Sequence, residues 1–193
     1  MMGEARFRLS APQEYILTSA QEINLFLAGI GSGKTHLGGL LSANFIQNFP
    51  AARGFIGANT YGQLNTSTML RIREVWKHGF GWTEGRDYVV GKAPPKGFVT
   101  EGHNFQSYDG ICSFKNGCVV YLGSLDNAKP HDGKEFAWAI LDETKDTRET
   151  DVKEIILGRL RQQAFGFDSR WQLSAKAETG FNPLYILTSP AKV

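Results

Sequence analysis

The chain has 193 residues, a formal net charge of +2 and an isoelectric point near 8.5, a weak basic bias that neither requires nor excludes a nucleic-acid partner. Hydrophobic residues make up 41% and charged residues 21% of the sequence, which is typical of a globular domain with a real core. No apolar run approaches the length of a membrane span and residues 1–12 lack the apolar centre of a signal peptide, so we expect a soluble protein of the cell interior.

The first part of the chain predicts two strand–helix units. Ile23–Ala28 is a short apolar run that leads into glycines, which indicates a buried strand. His36–Asn48 follows with apolar residues at helical spacing, and its two adjacent glycines are predicted to allow close packing on a sheet. Phe55–Ala58 is predicted to be a second buried strand, and Thr66–Lys77 a second helix.

The middle of the chain is rich in glycine and contains Pro94-Pro95, so we expect loops with short strands there. These short strands are placed around Asp87–Val90 and Ile111–Phe114. Asn116-Gly117 is a turn signal and precedes a predicted strand at Cys118–Leu122, so the region predicts a hairpin.

The last part of the chain carries the strongest buried-strand signal, Phe136–Leu141, which ends in the acids Asp142-Glu143. Asp151–Gln163 is predicted to be an amphipathic helix, and Leu184–Leu187 a final strand that runs into Thr188-Ser189. Strands that alternate with helices imply an α/β fold with a mainly parallel sheet, in which ligands bind at the carboxyl ends of the strands.

The segment between the first strand and the first of these helices, Ala28–Thr35, follows the phosphate-binding pattern G-x-x-x-x-G-K-[ST], with Ala28 in place of the first glycine. Its glycines let backbone N–H groups converge on phosphates, and the following helix points its positive end at the same place. Lys34 is predicted to neutralise the β- and γ-phosphates, and the Thr35 hydroxyl to bind magnesium. The predicted nucleotide-binding residues of the loop are Gly29, Ile30, Gly31, Ser32, Gly33, Lys34 and Thr35. The pattern predicts a P-loop ATPase with ATP and Mg²⁺ as its cofactors.

The two acids at the end of the predicted strand suit the second half of such a site. A carboxylate at Asp142 can hold the magnesium ion through its water shell. Glu143 is placed to orient and deprotonate the attacking water, which favours hydrolysis over transfer to a small acceptor. The alternative is a solvated acid pair at the end of a strand.

Five further residues are candidates for supporting roles. The Gln13 amide can read the donor and acceptor edge of adenine, or Gln13 is a surface residue in a loop. Thr188 and Ser189 can bond the γ-phosphate or the attacking water, or they form a turn before Pro190. Arg159 and Arg161 can stabilise transition-state charge, in cis or from a neighbouring subunit, or they are solvated helix charges.

Other chemically active side chains are given structural interpretations. Cys112 and Cys118 lack the companion ligands of a zinc site and are predicted to be reduced thiols in or near strands. His131-Asp132 offers too few ligands for a metal and is predicted to lie in a turn. Three aromatic residues can stack on nucleic-acid bases or pack in the core: Trp76, Phe80 and Trp82.

With these motifs in place, the chain resembles the ATPase domain of a tailed-phage terminase large subunit, the DNA-packaging motor. The segments that carry the resemblance, in the family's order, are Ser10–Gln13, Ala28–Thr35, Gly117–Asp126, His131–Lys134, Ile140–Glu143, Gly158–Arg161 and Leu187–Pro190. The resemblance implies an ASCE-type P-loop NTPase, a three-layer sandwich around a mainly parallel sheet. It also implies that Gln13 contacts adenine and that Thr188 and Ser189 belong to a motif coupling hydrolysis to domain movement.

The chain departs from the family at two points. Many members carry an arginine inside the phosphate loop, where this chain has Ile30, so the resemblance leaves the arginine that acts on the transition state open. Large terminase subunits usually continue into an RNase H-like nuclease, whereas this chain stops just after the coupling motif. We therefore expect residues 1–193 to be a single N-terminal ATPase domain that does not cleave DNA.

The function that the resemblance implies is ATP hydrolysis that drives double-stranded DNA into a procapsid. The implied partners are DNA, the portal protein of the procapsid, the small terminase subunit and four further copies in a five-membered ring, without a membrane. The expected location is the cytoplasm of the infected bacterium. Two alternatives stay open, namely a helicase-type ATPase acting on DNA outside packaging and a nucleotide-dependent binding module with negligible turnover.

Overall fold

The computed structural model describes residues 7–101, 103, 105–127, 129–131, 133–162 and 182–190. The strands within these residues form one seven-stranded sheet. They are β1 (Ile23–Leu27), β2 (Arg53–Ala58), β3 (Tyr88–Val90), β4 (Ile111–Phe114), β5 (Val119–Ser124), β6 (Trp138–Asp142) and β7 (Leu184–Thr188). The order across the sheet is β1-β7-β6-β2-β5-β4-β3, parallel from β1 to β5, with β4 and β3 added antiparallel. The predicted α/β fold with a mainly parallel sheet is confirmed.

The regular helices lie mostly in the first half of the chain. They are α1 (Ala11–Thr18), α2 (Lys34–Asn48), the single turn α3 (Tyr61–Gln63) and α4 (Met69–Phe80), with a π-helical turn at Leu64–Thr68 between the last two. Short 3₁₀ turns occur at Lys129–His131, Thr144–Asp146 and Leu157–Arg159, and a second π-helical turn at Asp151–Ile156. Helix α1 was not predicted. None of the described helices is long and apolar enough to cross a membrane.

The predicted helix at Asp151–Gln163 is wrong in type and extent. Its π-helical and 3₁₀ turns end at Arg159, and Gln163 lies outside the described residues. The next residues pair with the start of the β6 segment instead. The Phe136 N–H donates to the Arg159 carbonyl at 2.8 Å, and the Gln162 N–H donates to the Phe136 carbonyl at 3.0 Å. This bridge to the sheet replaces the helical hydrogen bonds that the periodicity alone favours.

Apolar side chains cover both faces of the sheet, which gives the three layers. Helices α2 and α4 pack on one face, where Phe45, Trp76 and Trp138 are fully buried. Gly54 has no side chain where Trp138 crosses it, since a Cβ there would lie 2.1 Å from the indole ring. The other face carries a second cluster around Phe136, covered by the irregular segment that includes the two turns at residues 151–159.

The hairpin predicted in the middle of the chain is present between β4 and β5. Its turn contains Asn116-Gly117, and Gly117 takes a φ of 87°, which only glycine adopts without strain. Cys112 lies in β4 and Cys118 just before β5, both as buried free thiols whose pKa burial raises. The aromatic residues considered for base stacking pack in or against the core, which agrees with the core interpretation of Trp76, Phe80 and Trp82.

The polar segments expected at the site follow neighbouring parallel strands. Leu27 at the end of β1 pairs with Thr188 of β7, and Asp142 at the end of β6 pairs with Leu187. Because these strands run in the same direction, Ala28, Asp142 and Thr188 lie at one edge of the sheet.

Candidate functional site

The phosphate loop occupies residues 28–33, between the end of β1 and the first residue of α2. Gly31 and Gly33 both take left-handed backbone conformations, with φ of 77° and 82°, which turn the loop back towards the helix. Gly33 caps α2, so the positive end of that helix faces the loop. The Ile30 side chain is 95% exposed at the tip.

Lys34 is drawn into this loop. Its side chain is buried, and its ammonium donates to the carbonyls of Ala28 and Gly29 at 3.0 and 2.9 Å. The same ammonium lies 4.0 Å from the Glu143 carboxylate. The phosphate loop, Lys34 and Glu143 therefore lie close together.

Asp142 is the buried acid of the site, and one of its oxygens accepts two hydrogen bonds. The Thr35 hydroxyl donates to Oδ2 at 3.0 Å and the Thr68 hydroxyl donates to the same atom at 2.7 Å. Burial raises the pKa of the Asp142 carboxyl, and these two hydrogen bonds oppose that effect. A hydroxyl and a carboxylate are the hard oxygen ligands that Mg²⁺ prefers, so Thr35 and Asp142 fit this ion.

The described residues hold no group of three or more His, Cys, Asp or Glu side chains placed to bind a metal. Magnesium does not need one, because it usually keeps several waters and takes one or two protein ligands together with phosphate oxygens. The pair Thr35 and Asp142 is in keeping with that mode of binding.

Thr68 is a site residue that the sequence analysis missed. It ends the π-helical turn Leu64–Thr68, which follows β2, and it is 1% exposed. Because β2 lies beside β6 in the sheet, the chain leaving β2 passes the end of β6, where Asp142 stands. The hydroxyl run Thr66-Ser67-Thr68 was the only signal in the sequence, and it is equally typical of a helix start.

Glu143 sits in a strained backbone conformation. It has a φ of 52° and a ψ of 56°, the left-handed region that residues other than glycine rarely occupy. Two contacts with the end of β7 hold it there, since its N–H donates to the Leu187 carbonyl at 2.7 Å and its carboxylate accepts from the Ser189 hydroxyl at 3.1 Å. Strain of this kind, on the order of 1–3 kcal/mol, is often found at functional sites.

The two residues at the end of β7 connect the other parts of the site. The Thr188 carbonyl accepts from the Ala28 N–H at 3.1 Å, which joins β7 to the phosphate loop. Ser189 joins β7 to Glu143. A displacement of the end of β7 would therefore change the contacts of both the phosphate loop and Glu143.

Gln13 lies in helix α1, so the surface-loop interpretation is wrong: the residue is 8% exposed. Its amide nitrogen donates to the Ser32 carbonyl at 3.1 Å, and its amide oxygen accepts from the N–H and hydroxyl of Ser10 at 3.0 and 3.1 Å. The amide thus braces the phosphate loop against α1. Contact with adenine stays a prediction.

Arg159 and Arg161 lie away from the other candidates. Arg161 pairs with Glu135 at 2.9 Å, and the Arg159 carbonyl bonds the Phe136 N–H, next to the amino end of β6. Asp142 lies at the carboxyl end of β6, roughly 20 Å further along the strand at about 3.3 Å per residue. The structure does not bring the two arginines to the site in cis, and a role from a neighbouring subunit stays a prediction.

A cavity of about 550 Å³ opens beside the phosphate loop, within the size range of small-molecule sites. One wall is formed by loop and sheet-edge residues, including Lys34 and Glu143. Another part of the wall, which the sequence analysis did not anticipate, comes from the start of α4 and contains Arg71 and Glu74. Burial and, to a smaller extent, the charge of Arg71 lower the pKa of His36, which also lines the cavity.

Residues 25–181 match the family described as terminase large subunit, T4likevirus-type, N-terminal. No curated protein sequence matches the chain. Several solved structures do. The large terminase ATPase domain of Thermus phage P74-26 is 14% identical with a TM-score of 0.56, and the match covers 96% of this chain and 67% of that one.

Two longer large terminases have the same fold. The protein of a thermophilic bacteriophage is 14% identical with a TM-score of 0.59, and that of bacteriophage HK97 is 16% identical with a TM-score of 0.55. The chain is covered to 95% in both matches but spans only 40% and 33% of those proteins. The large terminase of the same thermophilic bacteriophage has also been solved with ADP and with ATP-gamma-S.

The family match covers most of the chain and the solved relatives share its fold, so this chain belongs to the family of phage terminase large subunits, in their N-terminal region.

Proposed function

We propose that this chain is one ATPase domain that hydrolyses ATP with Mg²⁺ to drive double-stranded DNA into a viral procapsid. The observation that carries the ATPase part is the meeting of Lys34, Thr35, Asp142 and Glu143 at one edge of the sheet. Membership of the large terminase family supports a role in DNA packaging. The nucleotide complexes of the large terminase from the thermophilic bacteriophage support ATP as the ligand.

Binding begins at the phosphate loop. The N–H groups of the loop and the start of α2 surround the phosphates, which the positive end of the helix attracts. Lys34 exchanges the carbonyls of Ala28 and Gly29 for the β- and γ-phosphates. Bound magnesium would neutralise charge on the phosphate oxygens, with Thr35 and Asp142 as its protein ligands.

Hydrolysis needs a base beside the terminal phosphate, and Glu143 takes that role. Its carboxylate accepts a proton from water as the water oxygen bonds to the γ-phosphorus and the bond to the β–γ bridging oxygen breaks. The Ser189 hydroxyl, at 3.1 Å, holds one carboxylate oxygen and so orients the base. Release of phosphate alters these contacts, and through Thr188 and Ser189 the change reaches the rest of β7.

The motor as a whole requires partners. A ring of five copies docked on the portal, with the small terminase subunit selecting DNA, fits the family's packaging role in the cytoplasm of the infected bacterium. In such a ring Arg159 or Arg161 of one copy would face the ATP of the next. That arrangement agrees with their distance from the site within one chain.

The test is steady-state phosphate release with ATP and Mg²⁺, with and without double-stranded DNA. Glu143→Gln should lower turnover by about 10²–10⁴-fold, the usual contribution of a general base, while ATP binding is retained. Glu149→Gln is the matched control, because Glu149 is an exposed acid that pairs with Lys153. It should turn over ATP like the wild type.

Equal turnover by Glu143→Gln would remove Glu143 from its role. A wild type that binds ATP without turnover, even with DNA and procapsid added, would favour the binding-module alternative. Stimulation by DNA together with strand separation would favour the helicase alternative.

A further inference from the structure

The second wall of the nucleotide cavity belongs to the first turns of α4, a region to which no role has been given so far. Leu70, Arg71 and Glu74 line this wall, and Lys34 and Glu143 line the same cavity. Helix α4 is held firmly in place, because Met69, Ile72 and Trp76 on its other face are buried against the core. Arg71 is thus a long cationic side chain on a rigid support.

A further cation would balance the negative charge in the cavity once a nucleotide is bound. A nucleoside triphosphate carries several negative charges, and Glu143 and Glu74 add two more at the lining of the same cavity. Lys34 and one magnesium ion balance only part of this charge. Arg71 is the arginine on the lining, and a guanidinium is the side chain best suited to bind a phosphate through two parallel hydrogen bonds.

In the structure the Arg71 guanidinium donates to the Glu74 carboxylate at 2.7 Å. The two side chains are 62% and 45% exposed, and solvent-exposed ion pairs of this kind are weak. Exchange of the Glu74 carboxylate for a doubly charged phosphate is therefore favourable.

We propose that Arg71 binds the γ-phosphate of ATP from the α4 wall, in place of Glu74, and so makes the site prefer ATP over ADP. The proposal rests on the proposed function, since it assumes that this cavity receives the nucleotide. It assigns to the chain a cation that acts in cis, from an element other than the phosphate loop.

The experiment measures equilibrium binding of ATP-gamma-S and of ADP, each with Mg²⁺, to the wild type and to Arg71→Ala. The substitution should weaken ATP-gamma-S binding by about tenfold or more, because a charge-assisted pair of hydrogen bonds is lost, and leave ADP binding within about twofold. Glu74→Gln, which removes the competing carboxylate, should strengthen ATP-gamma-S binding.

Arg73→Ala is the matched control. Arg73 lies two residues further along α4, pairs with Glu84 at 3.4 Å, and does not line the cavity. This variant also removes one guanidinium and one exposed ion pair, and it should bind both nucleotides like the wild type. Each arginine variant should show one cooperative thermal unfolding transition, which shows that binding differences do not come from misfolding.

Two outcomes would overturn the proposal: Arg71→Ala binds ATP-gamma-S as tightly as Arg73→Ala does, or it loses ATP-gamma-S and ADP equally. A wild type that binds neither nucleotide would instead remove the proposed function, and the role of Arg71 with it. Loss confined to the triphosphate supports both.

Discussion

Two threonine hydroxyls from different helical turns donate to the same oxygen of Asp142, at 3.0 Å from Thr35 and 2.7 Å from Thr68. Burial raises the pKa of this carboxyl and would favour its neutral form, which cannot hold a cation well. The hydrogen bonds stabilise the ionised form. At the scale of single residues, Thr68 thus acts as a positioning residue that keeps Asp142 charged and oriented.

The substitution Thr68→Val tests this role. Loss of the hydroxyl raises the pKa of Asp142 further, so the ionised form, which is the form proposed to bind Mg²⁺, is lost at a higher pH. We expect ATP turnover at neutral pH to fall by roughly tenfold, in line with outer-shell partners of metal ligands. The acidic limb of the pH–activity profile should also move to higher pH.

Thr68→Ser is the control for Thr68→Val, because it keeps the hydroxyl and should retain both the rate and the pH profile. A Thr68→Val enzyme that loses activity with an unchanged profile would contradict the role in Asp142 ionisation. Raised Mg²⁺ concentration should restore part of the Thr68→Val activity.

At the scale of elements, Gly38 and Gly39 decide how closely helix α2 packs on the sheet and on helix α4. Gly38 faces the sheet, as predicted, and a Cβ there would lie 3.1 Å from the terminal methyl of Leu187. Gly39 faces α4 instead, where a Cβ would lie 2.7 Å from the Cβ of Val75. Val75 is 3% exposed and stiff at its branched Cβ, so it cannot move aside.

We therefore predict that Gly39→Ala destabilises the fold by about 1–2 kcal/mol, since overpacking outweighs the better helix propensity of alanine. Urea denaturation followed by circular dichroism measures this change. Gly38→Ala is the matched control, because the flexible end of Leu187 can shift and the propensity gain offsets the crowding. A Gly39→Ala protein as stable as Gly38→Ala would mean that α2 and α4 separate at little cost.

At the scale of the whole molecule, the candidate site combines the ends of β1, β6 and β7 with the first turns of α2 and α4. A ligand that contacts all of these elements binds only the folded state and therefore stabilises it against unfolding. At 100 times its dissociation constant, such a ligand contributes about 2.7 kcal/mol. For a chain of this size we expect ATP with Mg²⁺ to raise the unfolding temperature by roughly 5 to 10 °C.

Thermal unfolding of wild type and Lys34→Ala, with and without ATP and Mg²⁺, checks this prediction. Lys34→Ala should lose the shift, because the ammonium proposed to contact the phosphates is gone. A shift of equal size in both proteins would show that the nucleotide binds elsewhere.

Local sequence patterns located most of the strands and the hairpin, because apolar runs and turn residues act over a few neighbouring positions. They failed where tertiary contacts compete with local preference. Residues 159–162 pair with Phe136 instead of extending a helix. Helix α1 was missed for a different reason, because its capping box of Ser10 and Gln13 is a local signal that the sequence analysis did not use.

The amino-acid sequence by itself determined the phosphate loop, the acidic strand end and the family, because each depends on residue types at fixed spacing along the chain. Only the tertiary structure decided that Thr68 meets Asp142, that Gln13 braces the loop, and that Arg71 and Lys34 line the same cavity. It also decided that Arg159 and Arg161 lie at the far end of β6. These relations depend on the order of strands in the sheet and on helix packing, which contacts between residues distant in sequence establish.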